Sequence, residues 1–251
     1  MGKEVRNEAH SGFGFDRRPC GGFGVVHRPL NQIANLSREE KIYIMNTINK
    51  ILCIGAHPDD IELACVGSLL KLKAQYNCKI HYVVCTNGEL KKAGGTRKFE
   101  QKTVCEKLGV SSIKFLGFPD SHLHLYLNDL IREIEIISDK VNPNLVFTHT
   151  NLDHHQDHLA VFQSTVAALR NMSVGAIILY PSANHRKSVE TNLVIDISDF
   201  FTKKQEVLDL FKSQRNNWYL TPTFVSNFAS SMGIQFGFRY AEGFQIFSAT
   251  W

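Results

Sequence analysis

Four apolar residues, Ile51-Leu-Cys-Ile54, run through Gly55-Ala56 and stop on His57-Pro58-Asp59-Asp60, and no other stretch limits the possible folds of this chain so tightly. A short continuous apolar run fits a strand covered on both faces, as in a parallel sheet. Gly55 and Ala56 allow close backbone passage, and Pro58 forces His57 into an extended or turning shape. Apolar residues then resume at helical spacing between Ile61 and Ala74 (Ile61, Leu63, Ala64, Leu69, Leu70, Leu72). An imidazole and two carboxylates are thus delivered where a strand hands over to a helix, at the sheet edge where open α/β folds bind ligands. A helix cap accounts for part of this, since Asp59 or Asp60 could close the helix and complement its dipole for roughly 0.5–2 kcal/mol. It does not account for the histidine beside them.

The same alternation continues downstream. Lys79 to Thr86 reads as a second strand ending in Thr86-Asn-Gly-Glu89, followed by a mobile loop over Leu90 to Thr96 and a helix from about Arg97 to Leu108. Ser111 to Leu116 is a third strand, and Leu127 to Val141 a helix with Leu130, Ile134, Ile137 and Val141 on one face. Asn144 to Thr148, Ala176 to Tyr180 and Leu193 to Ile197 are further strands; helices are expected from about His158 to Arg170 and through Leu208 and Phe211. The aromatic-rich segment from Trp218 to Trp251 ends in Glu242–Phe247, read as an edge strand. Such alternation predicts a single-domain, Rossmann-like α/β/α sandwich of three layers around a mostly parallel sheet. No GxGxxG follows the first strand, so a dinucleotide site is not expected.

A chain of 251 residues suits one sizeable core. Residues 1–44 show no sustained periodicity and read as an N-terminal arm, either flexible or lying ahead of a native start at Met45; residues 45–251 form the expected catalytic domain. The 28 Lys and Arg against 24 Asp and Glu leave a formal charge of +4, and pairs such as Arg17-Arg18 and Lys203-Lys204 are too short for a nucleic-acid arm. Six cysteines without a CxxC pair suit a reducing compartment. Without an apolar run of roughly 18–20 residues or an N-terminal hydrophobic region, no integral membrane segment is expected, and the location expected is the cytoplasm. Nothing in the sequence sets an oligomeric state.

About a hundred residues after His57, the ten positions 149–158 hold four of the eleven histidines (His149, His154, His155, His158) and two aspartates (Asp153, Asp157). A polar loop with a capping Asp and surface histidines is the plain alternative. If two strand ends converge, however, they supply two imidazoles and a carboxylate with a position left for water, which is catalytic rather than structural zinc chemistry. His57, Asp60 and His158 are the expected ligands, for Zn²⁺ or for Fe²⁺, which suits the same donors. Asp59, next to the metal but not needed as a ligand, is placed to take a proton from water. His122, His124, His149 and His154 are expected on the surface or as supports of the ligands.

Ala56-His-Pro-Asp-Asp60 together with His155-Gln-Asp-His158 resembles the LmbE/PIG-L superfamily of zinc-dependent N-deacetylases, over roughly Asn49 to Phe247. Thr86-Asn-Gly-Glu89, Arg97 with Glu100, Leu116-Gly-Phe-Pro-Asp120, Ser213-Gln214 and Glu242-Gly-Phe244 support the likeness. Gln156 stands where the superfamily often has Pro, and Ile61 separates Asp60 from Glu62; neither departure removes a ligand. The resemblance implies that Asp59 is the general base, that Asp60 joins His57 and His158 on zinc, and that His155, partnered by Asp157, steadies the oxyanion in protonated form or acts as acid. It places Arg97 against a sugar hydroxyl or phosphate, and Asp120 is carried as a second substrate contact. The expected reaction is hydrolysis of an acetamido group on a small glucosamine-type sugar or glycoconjugate. Rival expectations are an amidase acting on a thiol conjugate or other amide, and a metal- or sugar-binding module without catalysis.

Overall fold

The structure is a computed structural model that describes residues 48–89, 94–183 and 190–249. The expected arm over 1–44, and positions 90–93 of the expected loop, lie outside the described residues.

Strand β1 (Lys50–Gly55) leads into helix α1 (Asp60–Tyr76), followed by β2 (Lys79–Thr86), α2 (Gly94–Leu108), β3 (Ser112–Phe118), α3 (Leu127–Val141), β4 (Leu145–His149), α4 (Gln156–Ala168) and β5 (Ala176–Tyr180). After β6 (Leu193–Asp196) come α5 (Phe201–Leu208), α6 (Pro222–Gln235) and β7 (Ala241–Ala249). Short 3₁₀ turns at Leu123–Tyr126, Ser198–Phe200, Lys212–Gln214 and Trp218–Leu220 join these elements. The seven strands lie in the order β3-β2-β1-β4-β5-β7-β6; all neighbours are parallel up to β5, and β7 runs antiparallel to both β5 and β6.

Burial on both faces explains why β1 is apolar without alternation. Ile51 and Cys53 join one core with Ile61, Cys65 and Leu69 of α1, while Leu52 and Ile54 join the other with Leu130 and Ile134 of α3 and Val161 of α4. A third cluster adds an outer layer, in which Val66 of α1 and Val104 of α2 pack with Val207 of α5 and Val225 of α6. The five described cysteines are free and buried, consistent with use as small hydrophobes.

The expected edge strand is a correction. β7 lies between β5 and β6 because Phe244, fully buried, packs edge-on against Phe147 of β4 with ring centroids 5.5 Å apart, a contact available only inside the sheet. The edge falls to four-residue β6, short as exposed edges tend to be. Helix α6 was not expected from the aromatic segment containing it.

The topology also fixes where a ligand can bind. From β1 the chain moves outward to β2 and β3, then returns to place β4 on the other side of β1. The crevice at such a reversal lies beyond the carboxyl ends of β1 and β4, the ends that carry His57 and His149.

Candidate active site

Thr86, closing β2, fastens the corner after β1: its N–H and Oγ1 both donate to the Ala56 carbonyl, at 2.9 and 3.0 Å. Beyond it the chain turns so tightly that Asp59 takes φ 96° and ψ −21°, a left-handed conformation costly for a residue with a Cβ. Neither aspartate caps α1 in the expected sense. Asp59 occupies the cap position without a side-chain cap bond, and Asp60 Oδ2 accepts instead from the His57 N–H at 2.7 Å.

The two clusters meet in a cleft of about 240 Å³ lined by His57, Asp59, Asp60, Arg97, Asp120, His155 and His158, with Tyr180–Ala183 and Tyr219 on its walls. One ligating atom from each of His57, Asp60 and His158 falls within a group spanning at most 4.8 Å. His57 Nδ1 is 3.4 Å from Asp60 Oδ2, and His158 Nε2 is 3.6 Å from Asp60 Oδ1. Together they form a candidate cation group. Burial opposes every charge here, yet the Asp120, Asp157 and Asp60 carboxylates lift the His57 pKa well above its usual value. Asp60, with Asp153 behind, raises His158 to about 9, and the His158 charge in turn holds Asp60 well below the carboxylate range. A buried carboxylate centre that draws protons onto its neighbouring imidazoles favours a divalent ion, which releases those protons when it binds.

Asp59 stands apart from this group. Arg97, only 5% exposed, donates Nη2 to Asp59 Oδ2 at 3.1 Å and to the Pro58 carbonyl at 2.7 Å. Its guanidinium lies against Gly88, where a Cβ would collide with it. Burial pushes Asp59 up to about 6, with Arg97 the strongest opposing influence, so the carboxylate is poised between accepting and releasing a proton. Asp120 Oδ1 lies 3.1 Å from His57 Nε2. Arg97 and Asp120 thus contact Asp59 and His57 respectively.

His155 caps α4: its Nδ1 accepts from the Asp157 N–H at 3.2 Å. A ring nitrogen that accepts carries no hydrogen, so the proton sits on Nε2, and burial with the nearby His158 and His57 charges lowers the His155 pKa. The hydrogen it offers to the cleft is therefore the one on Nε2. Asp157 serves His155 through its backbone. Its carboxylate accepts from Ser121 N–H (2.6 Å) and Leu123 N–H (3.1 Å) and lies 3.2 Å from His57 Nε2.

Over 180 residues the chain is 35% identical to the uncharacterized deacetylase YaiS of Escherichia coli, an alignment covering 68% of this chain and 96% of that protein. Residues 52–169 match the PIG-L family, described as GlcNAc-PI de-N-acetylase. The chain belongs to the PIG-L family. It is also 27% identical over 226 residues to the diacetylchitobiose deacetylase of Thermococcus kodakarensis, covering 80% of this chain and 84% of that one. Its fold is shared with the N,N'-diacetylchitobiose deacetylase of Pyrococcus horikoshii at a TM-score of 0.72 and 22% identity, covering 87% and 90% of the two chains.

This PIG-L deacetylase also contains supports that spacing alone does not reveal. Asp153 Oδ2 lies 2.8 Å from His158 Nδ1 and Asp153 Oδ1 accepts from the His155 N–H at 2.9 Å, which turns His158 Nε2 toward Asp60. His149, fully buried, stacks on His158 with centroids 3.9 Å apart and planes 11° from parallel, and His155 stacks on the other side at 4.5 Å. Gln101, one helical turn after Arg97, accepts the Asp59 N–H at 3.1 Å and donates to Glu62 at 2.7 Å. The i, i+4 spacing of Arg97 and Gln101 is the one signal that could have paired them. Because Asp153 meets the second ring nitrogen of His158, Asp153→Asn should weaken metal binding about 10- to 100-fold while the protein stays folded, as competition with a chromogenic chelator would measure.

Among the described residues no helix is long and apolar enough to cross a membrane.

Proposed function

We propose that this deacetylase is a zinc enzyme that hydrolyses the acetamido group of a small, soluble N-acetylglucosamine-type sugar or glycoconjugate in the cytoplasm. The observation that carries the reading is the division of labour at the β1 corner. Asp60 belongs to a His57–Asp60–His158 donor group, while Asp59, its neighbour, is turned away and held by Arg97. The names of the T. kodakarensis and P. horikoshii proteins supply the substrate class.

His57, Asp60 and His158 would hold the metal, two imidazoles and one carboxylate being a common catalytic zinc set; the ion supplies Lewis acidity toward the acetyl carbonyl and makes water more acidic. Asp59 takes a proton from the attacking water as its oxygen adds to the acetyl carbon. The carbonyl oxygen becomes an oxyanion, and the Nε2–H of His155 donates to it, an interaction often worth about 3 kcal/mol. Asp59 then returns its proton to the sugar nitrogen as the C–N bond breaks, releasing acetate and a free amine. Arg97 keeps Asp59 in place through both transfers, and its charge restrains the rise in pKa that burial imposes.

The test is zinc-loaded enzyme assayed on N-acetylglucosamine, N,N'-diacetylchitobiose, an N-acetylglucosaminyl malate and a simple aliphatic acetamide. Amine and acetate should appear in equal amounts from one or more sugars and not from the aliphatic amide. Stoichiometric zinc without amine release from any of them would reject the reading in favour of a binding module.

A further inference from the structure

We infer that Tyr219 is a substrate-binding residue whose hydroxyl donates a hydrogen bond to an oxygen of the sugar, and that a chain of hydrogen bonds starting at Glu100 fixes that direction. The inference rests on the acetamido-sugar reading and extends it to a residue outside the metal and base.

Directionality follows link by link. Glu100 of α2 accepts at Oε1 from the Ser213 N–H, 2.8 Å, and at Oε2 from the Ser213 hydroxyl, 2.6 Å. With its hydrogen committed to the carboxylate, Ser213 Oγ meets Gln214, 3.0 Å away, as an acceptor, so the nitrogen of the Gln214 amide faces it. Gln214 Oε1 must then point the other way, and it accepts from Asn217 Nδ2 at 2.8 Å. The second hydrogen of Nδ2 goes to the Tyr219 hydroxyl at 2.9 Å. A phenol that accepts from an amide keeps its own O–H for another acceptor, and no described residue supplies one.

Tyr219 lines the cleft. Burial, then the Asp59 charge, raise its pKa above the usual tyrosine range, so it is a neutral donor at any working pH. The 3₁₀ turns Lys212–Gln214 and Trp218–Leu220 carry the relay from Glu100 of α2 to Tyr219 on the cleft wall. Glu100 lies three residues after Arg97 on the same helix, so α2 both clamps the base and orients Tyr219. A donor anchored in this way fits a hydroxyl or ring oxygen, groups that every candidate sugar presents and a bare acetamide lacks.

Tyr219→Phe and Asn217→Asp are to be compared with wild type using N,N'-diacetylchitobiose, measuring kcat/KM and, by calorimetry, binding of the sugar to zinc-loaded protein. Loss of one neutral hydrogen bond should lower both by roughly 5- to 20-fold in Tyr219→Phe, with zinc content and melting temperature unchanged. Asn217→Asp replaces the amide donor with an acceptor that captures the Tyr219 hydrogen. It should match the Tyr219→Phe loss and add nothing to it in the double variant, a non-additivity that mere loosening of the loop would not produce. Tyr219→Phe within twofold of wild type in both measurements would overturn the inference, as would fully additive losses. Wild-type protein that binds the sugar without cleaving it, with binding weakened in Tyr219→Phe, would support the donor role and reject the reaction. Wild type that neither binds nor cleaves any of N-acetylglucosamine, N,N'-diacetylchitobiose and the N-acetylglucosaminyl malate would reject both.

Discussion

Asp59→Asn is expected to keep its zinc and lose turnover by roughly 10²–10⁴-fold, the contribution typical of a positioned general base. The amide is the same size as the carboxylate and can still meet Arg97 through its oxygen, so the corner should hold. What it cannot do is take a proton from water and return it to the leaving nitrogen. The loss should fall on kcat with little change in KM, because proton transfer belongs to the transition state and not to sugar binding. His158→Ala should behave in the opposite way. It removes a metal donor and should lower zinc content along with activity. Parallel metal analysis and steady-state kinetics separate the two, and an Asp59→Asn enzyme that turns over normally with full zinc would remove Asp59 from the mechanism.

The assignment of Asp59 and Asp60 to different tasks shows what the sequence conveyed and what it withheld. The unalternating Ile51–Ile54 block disclosed a doubly covered strand, and the Pro after His57 disclosed the turn, because both effects are local. Helix α3 and strand β5 fall where their periodicity puts them, at Leu127–Val141 and Ala176–Tyr180. The convergence of residues 57–60 with 153–158 was legible as chemistry, since both runs end strands and hold complementary donors. The supports were legible only in part: His149 was expected on the surface or behind a ligand, and Asp153 was not singled out. Asp153 and His149 sat among four histidines and two aspartates, and only three-dimensional geometry reveals which carboxylate faces which ring nitrogen. The left-handed turn at Asp59 carries no composition signal, since it is imposed by Arg97, Gln101 and the packing around them. Helix α6 did have a local signal, Thr221 capping with Pro222 in the first turn. Its aromatic residues drew attention to a wall or strand instead.

Position also separates the active-site aspartates from a second buried charge system, which should govern stability rather than turnover. Glu242 of β7 and Lys204 of α5 are 5% and 3% exposed and meet at 2.6 Å. The Glu242 carboxylate also accepts from the Gly67 and Ser68 N–H groups of α1, at 3.0 and 2.7 Å. Lys204 reaches the Leu63 carbonyl at 2.6 Å, the group that the i to i−4 ladder assigns to Gly67. A Cβ at Gly67 would stand 2.8 Å from Ile197 Cδ1 and 2.9 Å from Glu242 Oε1, so only glycine lets the carboxylate approach the helix backbone. One ion pair thereby ties three elements together. Glu242→Ala leaves the ammonium buried without its partner and two helix N–H groups without their acceptor, and breaking a buried pair in this way costs about 3–5 kcal/mol. At about 2–4 °C per kcal/mol for a domain of this size, the melting temperature should fall by roughly 6–20 °C. Lys204→Met with Glu242→Gln, which removes both charges and keeps an acceptor for α1, should recover a good part of that loss because no uncompensated charge stays buried. Below the melting transition the Glu242→Ala enzyme should turn over nearly as fast as wild type, because the pair meets α1 at Leu63–Ser68, beyond the Asp59-Asp60 corner. A melting temperature within 2 °C of wild type would mean that water, not protein, already solvates the pair.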